Sequence, residues 1–456
     1  MVADSRSVVM QTWEMSLDEL ARRGVPQARP LLRLLSCFAS ATPIPRGLLT
    51  SPHLDQLLNA GAQAPPLAGT QPEQGLEDGL HGLKAFGLIE IRPFGGTRAD
   101  ERAVVIHPVV TDTNRGHLTD ATDGAGSAAL IRCAAIEIMV DAVGRLDIDR
   151  NADWPDYLAF GPHLHALFAT AARHVDRQHL AALVEITMMA ARGHEAYGDV
   201  PAGERLSRAG CGVADLLGDD EPARLRARHQ LAWSVAEQGR WAEAEVLFQD
   251  VLAGFRRALG DDHRDTLNTR HELAWIAACQ GRWAEAEAAY REVLGARSRV
   301  LGAEDPDTLI TRHELGWVIA NQGREHEAEP ILREVLLTRE RVLGERHRRT
   351  LTARHELAWV AARQGRLSEA EAAYREVIES RREVLRDDHP DTLTARHELA
   401  WVIALTGRRR AAIKEYRAVL SARMRVLGDG HPATAATRDA LESLRKGTIV
   451  TPRHGV

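Results

Sequence analysis

Lysine is nearly absent from this chain: it occurs only at Lys84, Lys414 and Lys446, although Lys+Arg total 58. A Walker A phosphate loop needs Gly-Lys-Ser/Thr, because the ammonium reaches the β/γ-phosphates and the hydroxyl holds magnesium. No Gly-Lys pair exists, which excludes a self-sufficient P-loop NTPase. Cysteine is also sparse. Cys37, Cys133, Cys211 and Cys279 stand 96, 78 and 68 residues apart, spacings that fit no metal or redox motif, so no metal and no cofactor is expected. The start carries no basic-then-apolar leader. The most apolar stretch, Ala128 to Val143, is broken by Arg132, Glu137 and Asp141 and is too short to span a bilayer. A reduced, cytoplasmic protein with no membrane partner is predicted. Hydrolase signatures (Gly-x-Ser-x-Gly, His-Glu-x-x-His, a Cys/His framework) are missing as well, and the expectation is a non-enzyme. The net charge of -6 gives no global reason to bind nucleic acid.

What is present is a folded composition, 44% apolar and 27% charged over 456 residues. At roughly 150 residues per domain that length means about three domains or one elongated array. A period of 42 decides for the array. The string Arg-His-x-Leu-Ala/Gly-Trp occurs five times, with histidines at His229, His271, His313, His355 and His397. Its tryptophans are Trp233, Trp275, Trp317, Trp359 and Trp401, and Gly239, Gly281, Gly323, Gly365 and Gly407 keep the same step.

One unit gives the architecture. From Thr350 to Gln364, Leu351, Leu357, Ala358 and Ala361 fall on one helical face. Gly365 then ends the helix, since glycine accepts a left-handed cap cheaply. A second helix from about Leu367 to Leu385 turns Ala370, Tyr374, Val377 and Ile378 inward. Each hairpin leaves an apolar face that only a stacked neighbour can cover.

Leu357, Ala358, Gly365, Ala370, Tyr374 and Val377 sit where the tetratricopeptide repeat has its signature residues, and the chain resembles that family over about residues 222–445. The usual unit has about 34 residues. The longer one here is similar to the repeats of kinesin light chains and of bacterial signalling proteins. Pro330 and Leu332 depart from the pattern in the third unit, which predicts a local kink. Residues 433–456 read as a capping helix and tail, and 178–220 as a degenerate repeat.

The resemblance places the side of the first helix carrying His and Trp along a concave groove. It therefore implies a partner-binding ladder of His229, Trp233, His271, Trp275, His313, Trp317, His355, Trp359, His397 and Trp401. Variable positions beside it include Asn268, Asn321 and Arg363. A constant aromatic floor with variable walls suits a protein or peptide ligand. The same tryptophans would also fit between stacked hairpins, and both placements stay open. Arg228, Arg270, Arg312, Arg354 and Arg396 fall near the buried side of the wheel, where Glu245, Glu287, Glu329 and Glu371 are candidate partners, or where the stems snorkel to water instead.

Residues 26–118 read differently. Helices over Pro26–Ala39 and Leu76–Phe86, a Pro/Gly/Ala-rich loop over Ala60–Gln74, and a hairpin of Leu88–Ile91 and Ala103–Ile106 around Gly95-Gly96 give a helix, helix, hairpin order. A further helix follows His107-Pro108 to about Leu118. With Trp13–Leu17 and Ile106-His107-Pro108, this stretch resembles the winged-helix segment of NB-ARC/STAND signalling ATPases. Trp154-Pro155 and Pro162-His163 resemble the linker of those proteins. The resemblance implies a nucleotide contact for His107, but only in trans, from a separate NTPase chain.

The predicted fold is mainly α: an α-solenoid of tetratricopeptide hairpins preceded by a small winged-helix α+β domain. The expected divisions are a lead-in over 1–25, the winged helix over 26–118, a linker over 119–177, the degenerate repeat, five repeats over 221–432, and the cap. The predicted function is a non-catalytic scaffold that binds a partner in its groove, in STAND-type signalling. The alternative is a DNA-associated regulator that uses the winged helix. The second helix carries only Lys84 against Glu77 and Asp78, so nucleic acid is not the expected partner.

Overall fold

The computed structural model describes residues 5–60, 72–93, 102–119, 125–148 and 150–451. It divides into two compact units, Met1–His194 with Arg205–Gly218, and Glu195–Glu204 with Asp219–Val456.

The first unit runs α1 Ser5–Arg22, α2 Ala28–Leu35, β1 Ile44–Pro45, α3 Pro52–Ala60, α4 Pro72–Ala85, β2 Ile89–Pro93 and β3 Arg102–Ile106. Then come α5 Pro108–Thr119, α6 Ala125–Gly144 and α7 Trp154–Thr170. Strand β3 pairs antiparallel with both others, in the order β1-β3-β2, with Ile44 and Ile91 both opposite Val104. Leu31, Leu34, Leu35 and Phe38 are fully buried, as the apolar run predicts. Helix α2 ends at Leu35 rather than Ala39, and α3 and β1 fall in a stretch for which the sequence suggests no element. Both are short, and neither carries a strong period. Most of the Pro/Gly/Ala-rich loop and the Gly95-Gly96 turn lie outside the described residues.

His163, in the predicted linker, is fully buried and acts as a brace. Its Nδ1 accepts from the Ala39 amide at 3.2 Å and its Nε2 donates to the Pro43 carbonyl at 3.1 Å. Burial pushes its pKa down to about 4. Helices α8 Arg177–Tyr197 and α9 Val200–Ala214 follow.

The second unit contains five helical hairpins: α10 Pro222–Ala236 with α11 Trp241–Leu259, α12 Arg264–Cys279 with α13 Trp283–Val300, α14 Pro306–Asn321 with α15 Glu325–Leu343, α16 Arg348–Arg363 with α17 Leu367–Val384, and α18 Pro390–Leu405 with α19 Arg409–Val426. Helix α20, Pro432–Lys446, closes it. Gly239, Gly281, Gly323, Gly365 and Gly407 all take φ between 74° and 81°, the left-handed cap expected of them. The N-caps are less usual. His263, His347, His389 and His431 each accept, through the ring, the amide two residues on, and Asp305 does the same with its carboxylate.

Burial separates the two kinds of helix. In α14, α16 and α18 ten, ten and eleven of sixteen residues are buried, whereas α15, α17 and α19 bury four or five of 18 or 19. A helix covered on nearly every side is an interior helix. The array also meets itself. His389 reaches the Ala196 carbonyl at 3.0 Å and His431 reaches that of Glu237 at 3.3 Å, across 193 and 194 residues. The buried first helices are the interior ones of each hairpin.

The third hairpin departs from the expected kink: α15 is helical without interruption through Pro330. Leu332 fills the aromatic position, fully buried, and Gly316 makes the space for it. A Cβ on Gly316 would stand 2.9 Å from Leu332 Cγ and Cδ2. The other four repeats have Ala at that position and an aromatic opposite, namely Ala232, Ala274, Ala358 and Ala400 with Phe248, Tyr290, Tyr374 and Tyr416.

Candidate functional site

The ladder occupies the seam between hairpins. His271, His313, His355 and His397 are 3–6% exposed, and His229 is half-buried. Four of the rings stand edge-on to the aromatic of their own second helix: His229 to Phe248, His271 to Tyr290, His355 to Tyr374 and His397 to Tyr416, at 5.1–5.5 Å.

His271, His355 and His397 each reach the next repeat through one ring nitrogen, whereas His313 Nδ1 lies 3.2 Å from the adjacent Glu314. Arg381 donates to His355 Nδ1 at 2.9 Å, and His355 Nε2 donates to Glu398 at 2.6 Å. The Tyr374 hydroxyl donates to the same Glu398 oxygen at 2.7 Å. His271 and His397 stand 3.3 Å from the hydroxyls of Thr311 and Thr437. Burial drives the pKa of His271 well below the ordinary range and that of His397 to about 3. The His271 and His397 imidazoles are neutral hydrogen-bonding struts.

A second buried column completes the network, and the sequence reading did not single it out. Arg297, Arg339, Arg381 and Arg423 on the second helices are 2–4% exposed. They donate to the carbonyls of Asp307, Arg349, Asp391 and Ala433 at 2.6–2.9 Å, each in the first helix of the following repeat. Burial lowers Arg339 and Arg423 to about 10. The 42-residue step from 297 to 423 was the available signal, with Phe255 breaking it in the first repeat.

The tryptophans divide. Trp317, Trp359 and Trp401 are 4%, 0% and 3% exposed within the main apolar core. The expectation that the whole ladder lies open along a groove therefore fails for these three, whose indoles are packed into the apolar core between hairpins. Trp233 and Trp275 are only half-buried and stack with centroids 5.2 Å apart. The variable positions are likewise partly engaged. Asn268 accepts from Arg297 at 2.6 Å and Asn321 donates to the Trp317 carbonyl at 3.0 Å. Arg363 pairs with Glu325 at 2.5 Å, its guanidinium 4.8 Å from the Trp359 ring centroid.

The arginine and glutamate partners also differ from expectation. Arg270, Arg312, Arg354 and Arg396 pair with Glu292, Glu334, Glu340 and Glu415 at 2.7–2.8 Å. Glu245, Glu287, Glu329 and Glu371 reach instead across the repeat boundary to Arg282, Arg324, Arg366 and Arg408. His107 is exposed, and its Nδ1 accepts from the Val109 amide at 3.2 Å, which caps α5.

At the half-open end, Glu237 follows α10 directly. Burial and the negative charge of Asp391 push its carboxyl up to about 7, against the opposing pull of Arg348. The described helices include none long and apolar enough to cross a membrane.

Among curated proteins no relative matches the chain. Among solved structures, a Podosopora anserina protein described as a kinesin light chain with nearly identical TPR-like repeats is 27% identical; the match covers 46% of this chain and 99% of that one, with a TM-score of 0.35. Aspartyl phosphate phosphatase F from Bacillus subtilis is 10% identical over 94% of this chain and 97% of its own, with a TM-score of 0.50. NprR in complex with its cognate peptide NprX is 14% identical over 74% and 90%, also with a TM-score of 0.50. Residues 224–299, 307–383 and 392–433 match tetratricopeptide-repeat family models, and this part of the chain is an array of tetratricopeptide repeats.

Proposed function

We propose that the protein is a non-catalytic scaffold whose tetratricopeptide array holds a partner protein or peptide at its half-open end. The observation that carries this reading is the stacked, half-buried Trp233–Trp275 pair. The same indole position is sealed in the last three repeats. Large amphipathic rings left partly exposed are what a partner's apolar anchor would cover. Half-buried His229, Asn268 and Glu237 lie in the same two repeats and offer polar contacts. NprR, whose fold is similar, is in complex with its cognate peptide NprX.

The finer reading places this scaffold in STAND-type signalling, with the first unit as a winged helix. The helix–strand–helix–helix–hairpin order and the β1-β3-β2 sheet support that part. Lys84 in α4, beside Glu77 and Asp78, offers little to a duplex.

Affinity capture from native lysate tests the proposal, with the wild type, a Trp233→Ala/Trp275→Ala variant and a Trp317→Ala variant. A specific partner retained by the wild type and lost by the first variant, whose helical signal is unchanged, supports it. Identical capture by the first variant and the wild type overturns it.

A further inference from the structure

In the first unit a mixed cluster of thiol, imidazole and carboxylate groups is built by three separate helices. Helix α6 supplies Cys133, Glu137 and Asp141, at four-residue steps and therefore on one face. Asp176 caps α8, accepting the His179 amide at 3.0 Å. Its other carboxylate oxygen lies 2.7 Å from His179 Nδ1. The Cys133 sulfur, an Asp176 oxygen and a His179 ring nitrogen all lie within 4.8 Å of one another.

The surroundings are ordered as well. His179 Nε2 is 3.2 Å from Glu137 Oε1, and the other Glu137 oxygen is 3.1 Å from Nδ1 of His53 in α3. His53 Nε2 stands 3.9 Å from Asp141, which also accepts from the Ser51 hydroxyl. Among the described residues no lysine or arginine pairs with Glu137, Asp141 or Asp176; their ionic partners are the two histidines alone. Elsewhere in this arginine-rich chain carboxylates are routinely matched to guanidinium groups. The cluster has three acids and no fixed cation.

We propose that Cys133, Asp176 and His179 form a zinc site. The Cys133 thiolate, one Asp176 carboxylate oxygen and His179 Nδ1 are the ligands, and the fourth position is left to water. Glu137 accepts from His179 Nε2–H, which sets the tautomer and aims Nδ1 at the ion, the usual carboxylate–imidazole–metal arrangement. Thiolate, imidazole and carboxylate together select zinc over magnesium or calcium. Four-coordinate zinc with bonds of about 2.0–2.3 Å holds its ligands about 3.3–3.8 Å apart. The spacings here, from 2.7 Å to within 4.8 Å, bracket that range, and the Asp176 side chain is 61% exposed, which leaves room for adjustment at its outer oxygen. The ion would tie α6 to the start of α8. Cysteine spacing along the chain gave no hint of this, because the ligands lie 43 and 46 residues from Cys133 on another element.

Cobalt(II) titration of the chelator-stripped full-length protein tests the site. The proposal expects one equivalent to bind with a thiolate-to-cobalt charge-transfer band, displaceable by zinc. Cys133→Ser removes the band, and His179→Gln weakens binding at least tenfold. Glu137→Gln weakens it about tenfold or more, while Cys211→Ser leaves it intact. A folded wild type that shows no charge-transfer band, or a Cys133→Ser variant that keeps it, overturns the assignment. The wild-type titration decides even if a variant fails to fold.

Discussion

Acid should destabilise the array through a histidine that never meets the solvent. His397 is 5% exposed, with Tyr416 at its edge and Thr437 at its Nδ1, and its pKa is held near 3 by burial and by the charge of Arg423. In the unfolded chain the same ring titrates near 6.5. Between these values the unfolded state binds a proton that the folded state refuses, so stability falls as pH drops below about 6.5. At pH 5 the gap is about 1.5 units, and at about 1.36 kcal/mol per unit the loss is about 2 kcal/mol for this residue. His397→Asn removes the titration while keeping a polar group beside Thr437. Urea unfolding of both proteins at pH 7 and pH 5 isolates the effect, since groups titrating in both, Glu237 among them, cancel in the difference. The wild type should lose about 2 kcal/mol more than the variant on acidification. Parallel losses would mean that His397 is hydrated, and the sealed-seam account would be wrong.

Two further perturbations probe the packing. Gly316→Ala should destabilise by about 1 kcal/mol, because overpacking against Leu332 costs about 1–3 kcal/mol while helical Gly→Ala returns about 0.5–1; adding Leu332→Ala should relieve the clash, and a raised Tm for the single variant would refute the fit. Arg423→Met removes the charge-assisted hydrogen bonds to the Ala433 carbonyl and the Thr437 and Thr394 hydroxyls, a loss of about 2 kcal/mol or more. It should speed amide exchange throughout α20, and unchanged exchange there would show that Arg423 does not tie the cap down.

The repeat, its two helices and its glycine caps were legible because a 42-residue period fixes them without tertiary information. The wheel also grouped His355 with Trp359 correctly on one side of the first helix. It could not say what covers that side. That depends on how many repeats complete a turn, and small rotations between neighbours set this number. Here the inner face of Trp359 is filled by its neighbours rather than by solvent. Arg270 and its equivalents illustrate a second limit. Glu287 and Glu292 lie five residues apart on the same helix, and only the packed hairpin shows that Glu292 faces Arg270 while Glu287 faces the next repeat. The Cys133–Asp176–His179 cluster joins elements whose only link is the fold, so no local spacing could announce it.

The central claim is that the indole ladder is sealed in its last three rungs and open in its first two. Hydroxyl-radical footprinting of the native protein, read by peptide mass spectrometry, measures this residue by residue. Trp233 and Trp275 should be oxidised at least several-fold faster than Trp317, Trp359 and Trp401. Equal labelling of all five would contradict the account.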